Sequence, residues 1–463
     1  MRTAWCCLVL VGALLFAGCQ SGTDYRKAAN DPEHLHRAVK TLTDVMVHDI
    51  FSPPQASRAY AYATVAAYEA LVPRHDSTHQ TLAGQLNGLD PLPEPPDGRY
   101  LPALASVHAH YIVAEAMVFT QSRIANAHDD ALARFREMGV PDDVVERSTT
   151  YGDAVAEHIL AWADEDGYKE SRSAPQFTVI EDAPGRWKPT PPAYLDAIEP
   201  NWNTLRPFVL ESADQFKPEP PVPFSLDPES EFFQQTMEVY EMGKDLTEEE
   251  REIAAFWDCN PYVMHTSGHA MFATKQITPG GHWVGIAIIA NRKTDASFVE
   301  SAAVLAQTSV AVADGFISAW DEKYRSNLVR PETVINEHID EDWRPALQTP
   351  PFPEYTSAHS VISASAATSL RDLYGKPFAF DDTTEVEFGL PIRSFDSFMQ
   401  AAEEAAISRL YGGIHYRMAA KNGTSQGRNV GQWVVQHVEP RRRNASAVAT
   451  ADTRGTPSSE PEE

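Results

Sequence analysis

Three short stretches carry the side chains best suited to chemistry: Lys323 to Pro331, with Lys323 and Arg330; the triplet Ser357-Ala358-His359; and Ser408 to His415, with Arg409 and His415. Three cations, a hydroxyl and two imidazoles make a donor set for a tetrahedral oxyanion. Fixed positive charge neutralises the anion, N–H and O–H groups orient it, and an imidazole ligates it or moves its proton. The whole chain is formally −27. Cations gathered at one point therefore run against the general field, and a bound anion would justify them.

Spacing refines this picture. If residues 321–329 are helical, Lys323 and Arg330 lie two turns apart on one face, about 10 Å along the axis, with Pro331 closing the helix. An exposed basic face is the commoner fate of such a pair. Ser357 follows a Pro-rich extended stretch and precedes a Ser- and Ala-rich helix. Its hydroxyl and the free N–H groups of the first turn form an anion cradle, with His359 beside it as acid or base. A plain Ser N-cap reads the same way. The helix carrying Arg409 should stop at Gly412-Gly413, because an unbroken helix would send Arg409 and His415 to different faces.

Taken in order, Lys-x6-Arg-Pro, Pro-x3-Ser-x-His and Ser-Arg-x5-His resemble the shared signature of the vanadium-dependent haloperoxidases and the type 2 phosphatidic acid phosphatases, over roughly 320–434. The resemblance implies that Lys323, Arg330, Arg409, Ser357 and the Ala358 backbone N–H bind the oxyanion. His415 is then the vanadate ligand of a haloperoxidase or the phosphorylated nucleophile of a phosphatase, and His359 the acid–base partner. The two chemistries share a site because vanadate adopts the five-coordinate geometry of phosphoryl transfer. In the oxidase reading, Lys323 polarises hydrogen peroxide and a halide attacks it to give hypohalous acid. In the phosphatase reading the cofactor's place is taken by phosphate and the substrate is a phosphate ester. A third reading is a non-catalytic oxyanion-binding lipoprotein. Trp320 and Phe352 resemble positions lining the halide side of haloperoxidase sites, although core packing explains such aromatics equally well.

Two positions depart from the family pattern. Ala358 replaces a frequent Gly, which a backbone donor tolerates. Ala419, four residues after His415, stands where many members carry an Asp that orients the imidazole, so another acceptor must fix the His415 tautomer or activity is weak. Separately, His265 and His269 at i and i+4, with His282, suggest a zinc site, but Gly268 weakens a helix there and a structural role is favoured.

These residues need a scaffold, and the sequence reads as all-α: two packed helical bundles with long irregular connections. Helical periodicity runs through 32–50, 56–71, 103–119, 129–138, 142–164, 229–242, 247–257, 296–320, 360–373, 395–411 and a last helix through Val434. Residues 184–223, rich in Pro and aromatics without periodicity, form an ordered irregular excursion. The expected organisation is a signal peptide at 1–18, a linker at 19–30, helical domains at 31–225 and 226–440, and a disordered tail at 441–463.

The leader has Arg2, an apolar run from Leu8 to Ala17, and a lipobox-like ending at Cys19, pointing to export and lipidation of Cys19. No later stretch approaches a membrane span, so contact with a membrane is expected only through that lipid. Of four cysteines, Cys6 and Cys7 lie in the leader, which leaves Cys259 without a disulfide partner and reads as a small buried apolar residue. Spread acidity argues against nucleic acid as a partner.

Overall fold

The computed structural model describes residues 24–261, 263–267, 270–273, 275–375 and 377–442. The leader with Cys19, and residues 443–463 of the tail, lie outside the described residues. The helices are α1 (Asp24–Ala29), α2 (Glu33–His48), α3 (Pro53–Glu69), α4 (Pro102–Met117), α5 (Gln121–Glu137), α6 (Asp142–Asp164), α7 (Tyr168–Ser173), α8 (Glu231–Lys244), α9 (Glu248–Phe256), α10 (Pro279–Lys293), α11 (Phe298–Ser326), α12 (Pro331–His338), α13 (Ala358–Tyr374), α14 (Phe398–Tyr411) and α15 (Arg417–His437). Two short antiparallel pairs interrupt them: β1 (Met264–Ser267) with β2 (Ala270–Ala273), and β3 (Phe380–Asp382) with β4 (Arg393–Phe395). The fold is all-α.

Local chemistry sets many helix starts. Ser297 and Glu300 form a capping box at α11, and Thr247 and Glu250 another at α9, each satisfying two orphan backbone donors. Proline occupies the first turn of α3, α4, α10 and α12, where its missing N–H costs nothing.

The helices pack into one large apolar core that runs through both halves of the chain, with α3 against α4 and α11, and α13 against α11, α14 and α15. Close approach of α13 and α15 depends on three glycines one turn apart. A Cβ at Gly423 would lie 2.9 Å from the Ser357 carbonyl oxygen, one at Gly427 2.1 Å from that of Val361, and one at Gly431 2.6 Å from that of Ser365. Only a missing side chain permits this contact.

The expected excursion is irregular throughout 184–223, with a single 3-10 turn at Trp202–Thr204. It is anchored from α11: the buried Asp314 carboxylate accepts N–H groups of Phe208 (2.6 Å), Val209 (2.8 Å) and Leu210 (3.0 Å). Burial pushes that carboxyl up to about 6, so the three donors are what make the charged form tolerable.

Several expectations need correction. Helix α10 was not expected, because its Gly- and Ala-rich face gives little amphipathic signal. His265 lies in strand β1, paired antiparallel with β2 (Met264 opposite Ala273), where a helix would be needed to bring an i, i+4 partner alongside; His269 lies outside the described residues. Helix α11 is 29 residues long and holds an 18-residue window with a mean hydropathy of 1.4, enough to span a bilayer, yet that window is wholly buried inside the protein. At the start of the expected tail, Arg441 pairs with His79 and the Arg442 N–H donates to the Thr78 carbonyl at 2.9 Å.

Candidate active site

All seven expected oxyanion-site residues come together at one cavity, at the C-terminal end of α11, the N-terminus of α13 and the turn between α14 and α15. Lining residues include Trp320, Phe352, Ala358, His359, Arg409 and His415. Lys323, Arg330 and Ser357 stand behind them, each 0% exposed.

Lys323 and Arg330 do not share a helix. Asn327, left-handed at φ 46°, ends α11, and Arg330 is the N-cap of α12 with Pro331 as its first residue. Pro331 therefore opens a helix and does not close one, because its fixed φ suits a first turn as well as it blocks an interior. The break is held by the irregular segment: Trp187 N–H donates to the Asn327 carbonyl (3.1 Å) and Val329 N–H to that of Gly185 (3.1 Å).

The Lys323 ammonium donates to the carbonyls of Pro353 (3.0 Å), Glu354 (3.1 Å) and Thr356 (2.6 Å). Burial, and then Arg330, hold its pKa well below the usual lysine range. Arg330 donates from Nε to the Phe352 carbonyl (3.0 Å) and from Nη1 to that of Ile414 (2.8 Å), while its Nη2 is buried with no hydrogen-bond partner. Burial pushes this guanidinium down to about 10. Arg409 donates to the Trp257 carbonyl (2.6 Å) and to Ser408 Oγ (2.9 Å), and burial lowers it too. Desolvated cations with an orphaned donor are poised for an anion, whose charge would reverse the penalty.

Ser357 caps α13 as expected, accepting from the Ser360 N–H (3.3 Å) and hydroxyl (2.9 Å). The next two N–H groups, of Ala358 and His359, belong to a first turn that has no intrahelical acceptors. Nε2 of His359 is buried and unpartnered, and burial with Arg409 and His282 keeps its pKa well below the usual range. Gly413, at φ 73°, turns the chain after α14 so that Arg409 and His415 reach the same cavity. Trp320 and Phe352 form one wall with ring centroids 5.0 Å apart, and the Phe352 ring lies 5.0 Å from Lys323 Nζ and 5.1 Å from Arg330 Cζ.

The carboxylate missing at Ala419 is supplied from elsewhere. His415 Nδ1 pairs with Glu354 Oε1 at 2.8 Å, and the same oxygen accepts the Tyr416 N–H at 3.0 Å. That bond fixes Nδ1 as the protonated nitrogen and leaves the Nε2 lone pair toward Arg330 Nη1, 3.2 Å away. Ala419 itself contributes a backbone carbonyl, which accepts the Ser357 N–H at 3.2 Å. Sequence reasoning missed Glu354 because no fixed spacing joins it to His415. Its one signal was an acid inside the Pro-rich approach to Ser357.

Comparison with solved structures decides the family. A bacterial vanadium-dependent iodoperoxidase is 51% identical, with a TM-score of 0.84, over 88% of this chain and 97% of that one. The chain belongs to the vanadium-dependent haloperoxidases. Residues 303–444 match the family model for the VCPO second helical-bundle domain. Holo-type and apo-type bacterial vanadium-dependent chloroperoxidases share the fold at 15% and 14% identity, with TM-scores of 0.64 and 0.62, over 84% and 82% of this chain and 93% and 92% of theirs. No curated protein matches. The buried cations, the unpartnered Arg330 Nη2 and the unprotonated Nε2 of His415 suit the vanadate that this family implies.

Proposed function

We propose that the protein oxidises halide with hydrogen peroxide, iodide among the halides it accepts, by the net reaction of halide, peroxide and a proton to hypohalous acid and water. The observation that carries this is the set of three buried cations around His415, whose tautomer Glu354 fixes, in a cavity walled by Trp320 and Phe352. Bound vanadate supplies a Lewis-acidic centre that activates peroxide without changing redox state. His415, protonated at Nδ1 by its bond to Glu354, would hold the vanadate through the Nε2 lone pair. Lys323, Arg330 and Arg409, with Ser357 and the Ala358 N–H, hold the oxyanion oxygens and need no reorganisation as charge shifts. His359, neutral because it is buried beside cations, accepts and returns the proton at its free Nε2. The apolar wall of Trp320 and Phe352 keeps water from competing with the halide.

The choice of iodide rests on the iodoperoxidase at 51% identity. The leader supports export, with Cys19 lipidated and the enzyme held on the cell envelope by that anchor. The deciding assay loads the purified protein with vanadate and follows iodide and bromide oxidation by peroxide, alongside hydrolysis of a chromogenic phosphate ester. Halide oxidation that disappears in His415→Ala is the expected result. Ester hydrolysis inhibited by vanadate, without halide oxidation, would replace this reading with a phosphatase.

A further inference from the structure

A second cluster of ligating side chains lies beside the vanadate cavity, built from residues that the reaction leaves unused. Cys259 follows α9, His282 sits near the start of α10, and Glu385 follows β3. Their donor atoms all lie within 4.8 Å of one another, and all three residues are buried. Cys259 Sγ is 3.4 Å from His282 Nδ1, His282 Nδ1 is 3.1 Å from Glu385 Oε1, and the thiol is 4.0 Å from the same oxygen. Donors at about 2.0–2.3 Å from a tetrahedral zinc ion stand roughly 3.3–3.6 Å from each other. The triangle therefore has the size a zinc ion needs.

The other side of the imidazole strengthens the case. His282 Nε2 pairs with Asp382 Oδ2 at 2.8 Å, both groups fully buried. A carboxylate on the far nitrogen fixes the tautomer whose near nitrogen carries the lone pair, the arrangement that orients metal-bound histidines. Trp257 stacks flat on the ring, with centroids 4.6 Å apart and an interplanar angle of 15°.

We propose that Cys259, His282 and Glu385 bind a zinc ion, with Asp382 orienting the histidine and one tetrahedral position left for water. The site differs from the pairing of His265 with His269 that the sequence suggested, and shares with it only His282. Proton balance is simple. Without metal, carboxylates face both imidazole nitrogens, Asp382 at 2.8 Å and Glu385 at 3.1 Å, an arrangement that suits an imidazolium beside a neutral thiol. A dication displaces the imidazolium proton and the thiol proton, so the buried cluster keeps its net charge. The ion would tie α9, α10 and the β3 turn into one knot. It also bears on the oxyanion pocket, because Trp257, stacked on this knot, supplies the carbonyl that holds Arg409.

The test uses the purified full chain, stripped with chelator, loaded with vanadate and titrated with zinc or cobalt(II). Stoichiometric zinc by elemental analysis and a thiolate-to-cobalt charge-transfer band in the near ultraviolet are expected. The band should vanish in Cys259→Ser and persist in His415→Ala, which removes the residue that would hold vanadate and none of the three zinc ligands, although Cys259 lines the same cavity. Asp382→Asn, which leaves all three ligands in place, should weaken zinc binding about 10–100-fold. Absence of the cobalt band in the wild-type protein overturns the proposal without recourse to any variant. A band unchanged in Cys259→Ser, or lost in His415→Ala, overturns it as well.

Discussion

Glu354 holds His415: a single carboxylate oxygen faces Nδ1 of the imidazole at 2.8 Å and the backbone N–H of the next residue at 3.0 Å. This one atom sets both the ring tautomer and the path of the chain into α15. In Glu354→Ala the ring can protonate on Nε2, the nitrogen that must ligate. Vanadate affinity should fall about 10–100-fold, read as the vanadate concentration that restores halide oxidation to the apoenzyme. Glu354→Gln, which keeps an oxygen acceptor, should lose less. Equal losses in the two variants would count against control of the tautomer.

The Gly423, Gly427 and Gly431 stripe predicts a different kind of failure. Gly427→Ala places a Cβ 2.1 Å from the Val361 carbonyl, a distance that cannot be tolerated without separating α13 from α15. The expected cost is at least about 1–3 kcal/mol of unfolding free energy, measured by urea denaturation. Gly423→Ala presses instead on the Ser357 carbonyl at 2.9 Å. It should weaken vanadate binding more than its loss of stability explains.

Much of the site was legible because its chemistry is local in sequence: Lys323, Arg330, Ser357, His359, Arg409 and His415 announce themselves through short motifs, and the Gly412-Gly413 break follows from helix geometry. Most helices were legible for a related reason, since amphipathic periodicity marks a half-buried helix. That signal fails where a helix is buried on most sides, as in α10, while α11, read as a helix from its periodicity, carries a window apolar enough for a membrane span that the fold buries. Residues joined only by the tertiary fold left no spacing to read: Glu354 is 61 positions from His415, and Glu385 lies beyond any metal-binding spacing from Cys259.

Glu69 offers a titration away from the cavity. It is buried in α3, accepts from the Leu82 N–H (2.6 Å) and the Thr81 hydroxyl (2.7 Å), and burial pushes its carboxyl from 4.5 up to about 7. Between those values the folded chain holds a proton that the unfolded chain has released. This group's contribution to stability therefore falls as pH rises from about 4.5 to 7. Glu69→Gln removes the titration. The stability of the variant relative to wild type should increase by about 2 kcal/mol between pH 5 and pH 7, measured by denaturant unfolding at the two pH values. A difference that does not change with pH would show that Glu69 ionises normally.

The buried cations predict how the apoenzyme responds to anions. Lys323 and Arg330 are each 0% exposed and their pKa values are depressed chiefly by burial, so the apoenzyme's pocket carries charge that Glu354, with Glu322 near Lys323 and Glu332 near Arg330, offsets in part. Orthovanadate or inorganic phosphate binds the folded chain alone and should raise its thermal midpoint. At a ligand concentration of about 100 times Kd the gain is roughly 2.7 kcal/mol. Lys323→Met should start from a more stable apoenzyme, because an apolar chain of similar length replaces a desolvated ammonium. The same variant should lose most of the anion-induced shift. Scanning calorimetry with and without each anion measures both effects on one protein, and a Lys323→Met apoenzyme less stable than wild type would mean that the three carbonyl contacts of the ammonium outweigh its burial.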